Sequence, residues 1–181
     1  MLKNNEQKNK FILKETLGYY EFSSIKEMDN FLKIIENKTD KIVLGHSRHF
    51  WWAFFNMKHH NVNNKFKYNK IYGLCKSDTL LDRWNSEYEN NLGMHTKTGI
   101  DCAQINDLFI QDDYLIQIFY SQEFIIKIDE LYSNEENLKD PNFLTRLNKL
   151  FIEKHEVKVI ITEDEKLADN IREKTLTYFK E

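Results

Sequence analysis

The sequence is short of the residues that build loop-rich or cross-linked folds. Its 181 residues include five glycines, one proline and two cysteines. Two cysteines are too few for a disulfide scaffold, and Cys75 and Cys102 lack the CxxC spacing of a metal or redox site. The low glycine and proline content argues against a loop-rich sandwich and against collagen-like or disordered chains. We interpret the two cysteines as reduced thiols in or near a core.

Long apolar runs are also missing. No stretch approaches the ~18 consecutive apolar residues of a membrane-spanning helix, and the N-terminus has no apolar segment typical of a signal peptide. These absences predict a cytoplasmic protein without a membrane partner. Hydrophobic residues still make up 41% of the chain, which is enough for one core. We expect a polar N-terminal segment over residues 1–16 and a single α/β domain over residues 17–181.

Acidic residues are absent from one long window. Between Lys41 and Ser77 there is no aspartate or glutamate, although the chain has 29 of them and a net charge of −3. The window contains four of the six histidines and seven basic residues: Lys41, Arg48, Lys58, Lys65, Lys67, Lys70 and Lys76. A local reversal of charge of this kind can mark a surface that faces an anion. The sequence does not determine whether these residues form one surface.

Strand-like and helix-like patterns alternate along the chain. Three segments are predicted as buried strands and two as an antiparallel hairpin: residues 41–45, 70–75 and 157–162, and residues 105–111 with 114–120. Capping boxes, in which a hydroxyl and a carboxylate satisfy free N–H groups at a helix start, are predicted at Ser24 with Glu27 and at Thr162 with Glu165. The alternation predicts an α/β layered domain with a mostly parallel sheet and an added antiparallel hairpin.

The first candidate site is the run Gly45-His46-Ser47-Arg48-His49. It lies where a buried strand ends and a helix is expected to begin, which is where open α/β sheets bind ligands. Free N–H groups at a helix start, together with the guanidinium of Arg48, could hold an anion. The alternative interpretation is a strand-to-helix turn with solvated polar residues.

The aromatic run Trp51-Trp52-Ala53-Phe54-Phe55 follows directly. Aromatic rings beside basic residues can stack on nucleic-acid bases, although some of these rings must face the core, and an exposed ring could instead belong to a dimer interface. Lys58-His59-His60 is a poor metal site because adjacent histidines rarely chelate one ion and the window lacks carboxylates. We predict no metal or other cofactor, and we count Trp52 and Lys58 with His46, Ser47, Arg48 and His49 as ligand-binding residues.

A second candidate site is the pair His95 and Lys97. The spacing His-x-Lys on a strand places both side chains on one face. Such pairs occur in phosphodiesterases, where the histidine attacks phosphorus and the lysine holds a phosphate oxygen, but short pairs also arise by chance. In this alternative the chain is a phosphodiesterase or nuclease that works as a homodimer, because one copy supplies one nucleophile and its partner supplies the acid.

The order of strands and helices resembles half of a phospholipase D-like fold. Residues 105–120 (INDLFIQDDYLIQIFY) are similar to the paired strands that contain the H-x-K-x4-D motif of that superfamily. If Asp112 occupies the aspartate position, the histidine and the lysine are both missing. If His95 and Lys97 occupy their positions, the acid is missing. The resemblance therefore implies a domain with an incomplete catalytic motif.

A degenerate domain of this kind is similar to the effector-sensing half of TrmB-like transcription regulators, which respond to sugars. The resemblance spans roughly residues 20–179 and includes residues 157–162 (VKVIIT), Leu167-Ala168 and Thr177-Tyr178-Phe179. Those regulators have an N-terminal helix-turn-helix domain, whereas this chain has only ~20 residues before its first predicted strand. The resemblance therefore implies a stand-alone sensor or accessory domain and does not extend to DNA binding.

Three functional hypotheses remain open. The first is a non-catalytic ligand-sensing or regulatory domain for an anionic or sugar-like molecule bound near residues 46–49, with nucleic acid as a further candidate ligand. The second is the homodimeric phosphodiesterase with His95 and Lys97. The third is a protein-interaction module with the Trp51-Trp52 helix as its anchor.

Overall fold

A computed structural model describes residues 16–35, 41–51, 54, 70–102, 106–134 and 139–180. These residues form seven strands and five helices. The strands are β1 (Gly18–Phe22), β2 (Val43–Ser47), β3 (Ile71–Cys75), β4 (His95–Lys97), β5 (Asp107–Gln111), β6 (Tyr114–Tyr120) and β7 (Val157–Glu163). The helices are α1 (Ile25–Ile35), α2 (Leu80–Asn91), α3 (Gln122–Ser133), α4 (Phe143–Ile152) and α5 (Glu165–Thr177). None of the described helices is long and apolar enough to cross a membrane.

The strands form one sheet in the order β1-β7-β6-β5-β2-β3-β4. The buried strands and the hairpin predicted from the sequence are confirmed at β2, β3, β7 and β5–β6. The prediction of a mostly parallel sheet is wrong: β2–β3 and β3–β4 are parallel, whereas the other four pairings are antiparallel. An apolar run indicates that a strand is buried. It does not indicate the direction in which the strand runs through the sheet. The result is a mixed α/β sheet.

The two faces of the sheet pack against different helices. On one face, apolar residues of β6 and β7 form the larger core with α1, α3 and α4, whose fully buried members include Ile25, Phe124 and Tyr132. On the other face, α5 packs against β2, β5 and β6 around a smaller cluster that includes Leu44 and Ala168. The residues at and after the carboxyl ends of β2 and β3 lie beside α2 and α3.

Helix starts agree only in part with the predicted capping boxes. Ser24 does accept a hydrogen bond from the backbone N–H of Glu27, at 3.2 Å, but the carboxylate of Glu27 accepts from Ser23. The box predicted at Thr162 with Glu165 is wrong, because α5 is capped by Asp164, whose carboxylate accepts from the N–H of Leu167. A complete capping box occurs at the start of α2, between Thr79 and Asp82.

Gly73 lies where β3 and β4 approach each other beneath Phe50. A Cβ atom on Gly73 would lie 3.0 Å from the Cγ2 methyl of Thr96 and 3.4 Å from the ring of Phe50. We expect Gly73→Ala to lower the free energy of unfolding by about 1–3 kcal/mol, because overpacking forces neighbours from their preferred positions. Urea unfolding measures the loss. Adding Thr96→Ser, which removes the methyl group and keeps the hydroxyl, should restore part of it, and a purely additive double variant would contradict the account.

Candidate ligand-binding site

The predicted run at residues 45–49 is divided between the two faces of the sheet. His46 points toward α5, where its Nε2 lies 2.8 Å from the hydroxyl oxygen of Thr175. Burial, with a smaller effect from Lys174, holds the pKa of His46 below its usual value. Ser47 is buried on the opposite face. Beyond the strand, Arg48 and His49 turn toward α2 and α3, so these two residues belong to one cluster and His46 does not.

Arg48 forms a bidentate ion pair with Asp129 of α3. The Nε and the terminal nitrogen of the guanidinium lie 2.7 and 2.5 Å from the two carboxylate oxygens. The Arg48 side chain is 47% exposed and that of Asp129 35% exposed, so solvent reaches both. The hydrogen bond to Asp129 raises the pKa of Arg48. Partial burial would raise the pKa of Asp129, but hydrogen bonds from Arg48 and His49 hold it below its usual value.

His49 lies beneath this pair and bridges two carboxylates. Its side chain is only 5% exposed, and its ring packs on Tyr132 at a centroid distance of 4.4 Å. Nδ1 lies 3.1 Å from the nearer carboxylate oxygen of Asp82, and Nε2 lies 2.9 Å from that of Asp129. His49 therefore connects the exposed ion pair to the interior.

Asp82 anchors the interior end of the cluster. It is fully buried and accepts hydrogen bonds from the backbone N–H of Phe50, at 3.0 Å, and from the hydroxyl of Thr79, at 2.7 Å. The thiol of Cys75, at the end of β3, lies 3.6 Å from the same carboxylate. Burial alone would raise the pKa of Asp82, but the hydrogen bonds from His49, Thr79 and Phe50 hold it below its usual value. One carboxylate thus joins the ends of β2 and β3 to the start of α2.

A third carboxylate closes the cluster from β5. Asp107 is 2% exposed and accepts from the backbone N–H of Arg48 and from the phenol of Tyr120, each at 2.9 Å. Burial raises the pKa of Asp107 to about 6, against the lowering effect of these hydrogen bonds. Asp82 and Asp129 thus flank the imidazole of His49, and Asp107 holds the backbone of Arg48. Among the described residues, no group of three or more histidines, cysteines or carboxylates is arranged to hold a metal ion.

The basic residues of the acid-free window do not gather at this site in the described part of the chain. Lys41 precedes β2 and pairs with Asp113 at 2.6 Å, while Lys70 precedes β3. At the opposite end of the strands, Arg48 follows β2 and Lys76 follows β3, and Lys76 lies 3.8 Å from Asp101. The predicted ligand-binding residues Trp52 and Lys58, like Lys65 and Lys67, lie outside the described residues. The carboxylates that compensate these cations come from distant parts of the sequence.

His95 and Lys97 lie on one face of β4, as their spacing predicts, with the buried Thr96 between them. The ring of His95 stacks on Tyr72 at 4.5 Å. The ammonium of Lys97 donates to the backbone carbonyl of Tyr178 at 2.7 Å and lies 5.5 Å from the centre of the Phe179 ring. His95 thus contacts β3 and Lys97 contacts the end of α5. The homodimeric phosphodiesterase stays a prediction.

Sequence reasoning missed the acidic half of the cluster. Asp82, Asp107 and Asp129 are separated from Arg48 and His49 by 33 to 81 positions. The one local signal was available at Asp82, because Thr-x-x-Asp before a helix is the spacing of a capping box. No comparable pattern marks Asp107 or Asp129.

Comparisons with known proteins add one structural likeness. No protein-family model matches the chain, and a search of curated proteins finds no match. Among solved structures, the chain is similar to TrmBL2, described as an archaeal chromatin protein with a novel mode of DNA binding. The superposition covers 89% of this chain and 51% of TrmBL2, with 12% sequence identity and a TM-score of 0.45. The chain thus spans about half the length of that protein, and a likeness this remote decides nothing about function.

Proposed function

We propose that this α/β domain is a non-catalytic ligand-binding domain with a regulatory role, and that its ligand is a neutral, sugar-like polyol. The observation that supports this proposal is the half-exposed pair of Arg48 and Asp129, at the carboxyl end of β2. Carboxyl ends of strands are the usual ligand positions in open α/β sheets. The pair places a donor and an acceptor side by side at the surface.

The hydrogen-bonding capacity of this pair suits a diol. Arg48 uses two of its N–H groups on Asp129, which leaves further N–H groups able to donate. Within the described part of the chain, one oxygen of Asp129 contacts both Arg48 and Nε2 of His49, whereas the other accepts from Arg48 and has a second lone pair for a ligand. Each hydroxyl of a sugar both donates and accepts, and adjacent hydroxyls can therefore bridge the two side chains.

The charge of the cluster favours a neutral ligand over an anionic one. The guanidinium of Arg48 is already neutralised by Asp129, and Asp82 and Asp107 add further negative charge beneath it. An anion would have to displace Asp129 from a bidentate pair and approach two more carboxylates. A polyol needs no such displacement.

The regulatory part of the proposal follows from where the cluster is anchored. Arg48 and His49 follow β2, Asp82 lies in the first turn of α2 and Asp129 belongs to α3, so a ligand that shifts the exposed pair acts on three elements. The thiol of Cys75, which donates to the backbone carbonyl of Arg48, is buried, and burial raises its pKa far above the usual value. These features suit binding better than chemistry.

Replacement of Arg48 tests the site. We expect Arg48→Ala to weaken binding of a neutral sugar by roughly 100-fold, because hydrogen bonds to a charged group are lost. Isothermal titration calorimetry against a panel of neutral mono- and disaccharides measures the change. The matched control is Arg83→Ala, because Arg83 pairs with Asp78 at 3.0 Å and is equally exposed on α2.

Three outcomes would count against this proposal. Unchanged affinity in Arg48→Ala would show that the sugar does not bind at Arg48. Binding of inorganic phosphate without binding of neutral sugars would favour an anionic ligand. Oligonucleotide binding that is detected by fluorescence anisotropy and weakens steeply with salt would favour nucleic acid as the ligand instead.

A further inference from the structure

The two edges of the sheet differ in how they are protected against pairing with another chain. At one edge, β4 has three residues and ends at the exposed Lys97. Short length and a lysine side chain are common means by which an edge strand avoids such pairing. At the other edge, β1 has five residues (GYYEF) without lysine or proline, and it pairs one to one with β7 without a bulge. The outer row of backbone N–H and C=O groups of β1 is therefore suited to pairing with a further strand.

The side chains of β1 alternate between an apolar and a polar surface. Tyr20 and Phe22 pack against the larger core, and their rings lie 4.7 and 5.1 Å from that of Phe31 on α1. Tyr19 and Glu21 lie on the opposite face of the sheet, where the hydroxyl of Tyr19 donates to the carboxylate of Glu21. Tyr19 is 53% exposed although its ring is large and apolar. Both surfaces therefore reach the open edge of the sheet.

We propose that β1 pairs antiparallel with β1 of a second copy of this chain, about a two-fold axis at Tyr20, and so joins two sheets into one. In this register all five residues of β1 have a partner: Tyr20 faces its own copy, Tyr19 faces the partner's Glu21, and Gly18 faces the partner's Phe22. The same contacts occur twice, as a two-fold interface requires. An axis at Glu21 would instead set two carboxylates directly opposite each other, which is unfavourable.

The facing residues in this register complement one another. Tyr19 already donates to Glu21 within its own strand, and a carboxylate accepts several hydrogen bonds, so the partner's Glu21 can accept from Tyr19 as well. A Cβ atom on Gly18 would have no other atom within 4 Å, so the space beside this glycine is open. An aromatic ring opposite an edge glycine covers such exposed backbone, which the partner's Phe22 can do. The strand is therefore matched to itself, and this favours a second copy over an unrelated peptide.

The proposed dimer is distinct from the homodimer predicted with His95 and Lys97, because those residues lie on β4 at the opposite edge of the sheet. Its axis passes beside α1, whose Phe31 stacks on Tyr20, so the two copies of α1 would lie near each other above the paired strands. A five-residue strand pair is nevertheless at the small end of specific interfaces. We therefore expect a dissociation constant on the order of 10–100 µM.

Two opposite charges at Tyr19 test the register. Tyr19→Glu sets a new carboxylate opposite the partner's Glu21 on both sides of the axis, so the dissociation constant should rise roughly fivefold to tenfold. Tyr19→Lys removes the same ring but sets an ammonium opposite the partner's Glu21, so dimerisation should be as strong as in the natural sequence or stronger. Sedimentation velocity over a range of protein concentrations measures all three proteins.

Hydrogen exchange of the natural sequence tests the interface without any variant. The amides of β1 should exchange about tenfold or more slowly at concentrations above the dissociation constant than below it, whereas those of β4 should not change. A poorly folded variant therefore leaves the test intact. A protein that stays monomeric at all concentrations, or a dimer that Tyr19→Glu and Tyr19→Lys affect equally, overturns the proposal. Protection that rises with concentration at β4 and not at β1 overturns it too.

Discussion

An Asp82→Ala variant is expected to lose about 3–5 kcal/mol of its free energy of unfolding, because several buried hydrogen-bonding groups lose their partner at once. Asp82 is completely buried, and it accepts hydrogen bonds from Phe50, Thr79 and His49. Its removal leaves their donors without an acceptor and removes the side chain that caps α2. The buried ring of His49 would also lose its contact at Nδ1.

Thermal unfolding monitored by circular dichroism measures this loss, since a domain of this size loses about 2–4 °C in Tm for each kcal/mol. The matched control is Asp101→Ala, because Asp101 is 94% exposed and its carboxylate lies 3.8 Å from the ammonium of Lys76. We expect the control to unfold like the natural sequence. If Asp82→Ala were as stable as this control, Asp82 would not anchor the cluster as described above.

A Glu89→Gln variant is expected to gain stability at alkaline pH. Glu89 lies on α2, is only 4% exposed, and has a pKa that burial raises to about 8. The folded protein therefore retains a proton that the unfolded chain releases above the usual carboxyl pKa of 4.5. Stability consequently falls as pH rises from about 4.5 to about 8, and above that range the folded protein must hold a buried carboxylate.

An isosteric amide has no charge to bury, so the variant should lack this slope. Above pH ~8 we expect it to be about 2–4 kcal/mol more stable than the natural sequence, which corresponds to a gain of roughly 5–10 °C in Tm. Below pH ~4.5 the two proteins should unfold alike. Thermal unfolding at a series of pH values measures both limits.

The control is Glu87→Gln, an exposed glutamate on the same helix, which should leave the pH dependence unchanged. If the stability of the natural protein fell no more steeply between pH 5 and about 8 than that of Glu89→Gln, the raised pKa of the buried Glu89 carboxyl group would be contradicted. Asp107, with a pKa raised to about 6, acts in the same direction over a narrower range and is present in both proteins.

The sequence predicts the strands better than their directions. The apolar runs at β2, β3 and β7 and the hairpin of β5 and β6 were predicted, because burial and a short turn leave local patterns. The direction of β7 was not, because it depends on where the chain returns to the sheet after α3 and α4. The antiparallel pairing of β7 with both β1 and β6 follows from that route.

The candidate site shows the same division between local and distant information. Its position at the end of β2 was predicted, because a strand that leads into a polar run is a local pattern. Its charge was not, because Asp82 and Asp129 join Arg48 and His49 only in the folded chain, from 33 to 81 positions away. An acid-free window in the sequence is therefore compatible with a site rich in carboxylates.

Sugar binding at Arg48 and Asp129 is tested most directly by a map of backbone amide shifts in nuclear magnetic resonance as neutral sugars, sugar phosphates and oligonucleotides are added in turn. We expect a neutral sugar to shift the amides of residues 48–50, 77–79 and 129–132, and these shifts to disappear in Arg48→Ala. Shifts confined to another surface, or produced at residues 48–50 only by phosphate-containing ligands, would contradict a polyol site at Arg48 and Asp129.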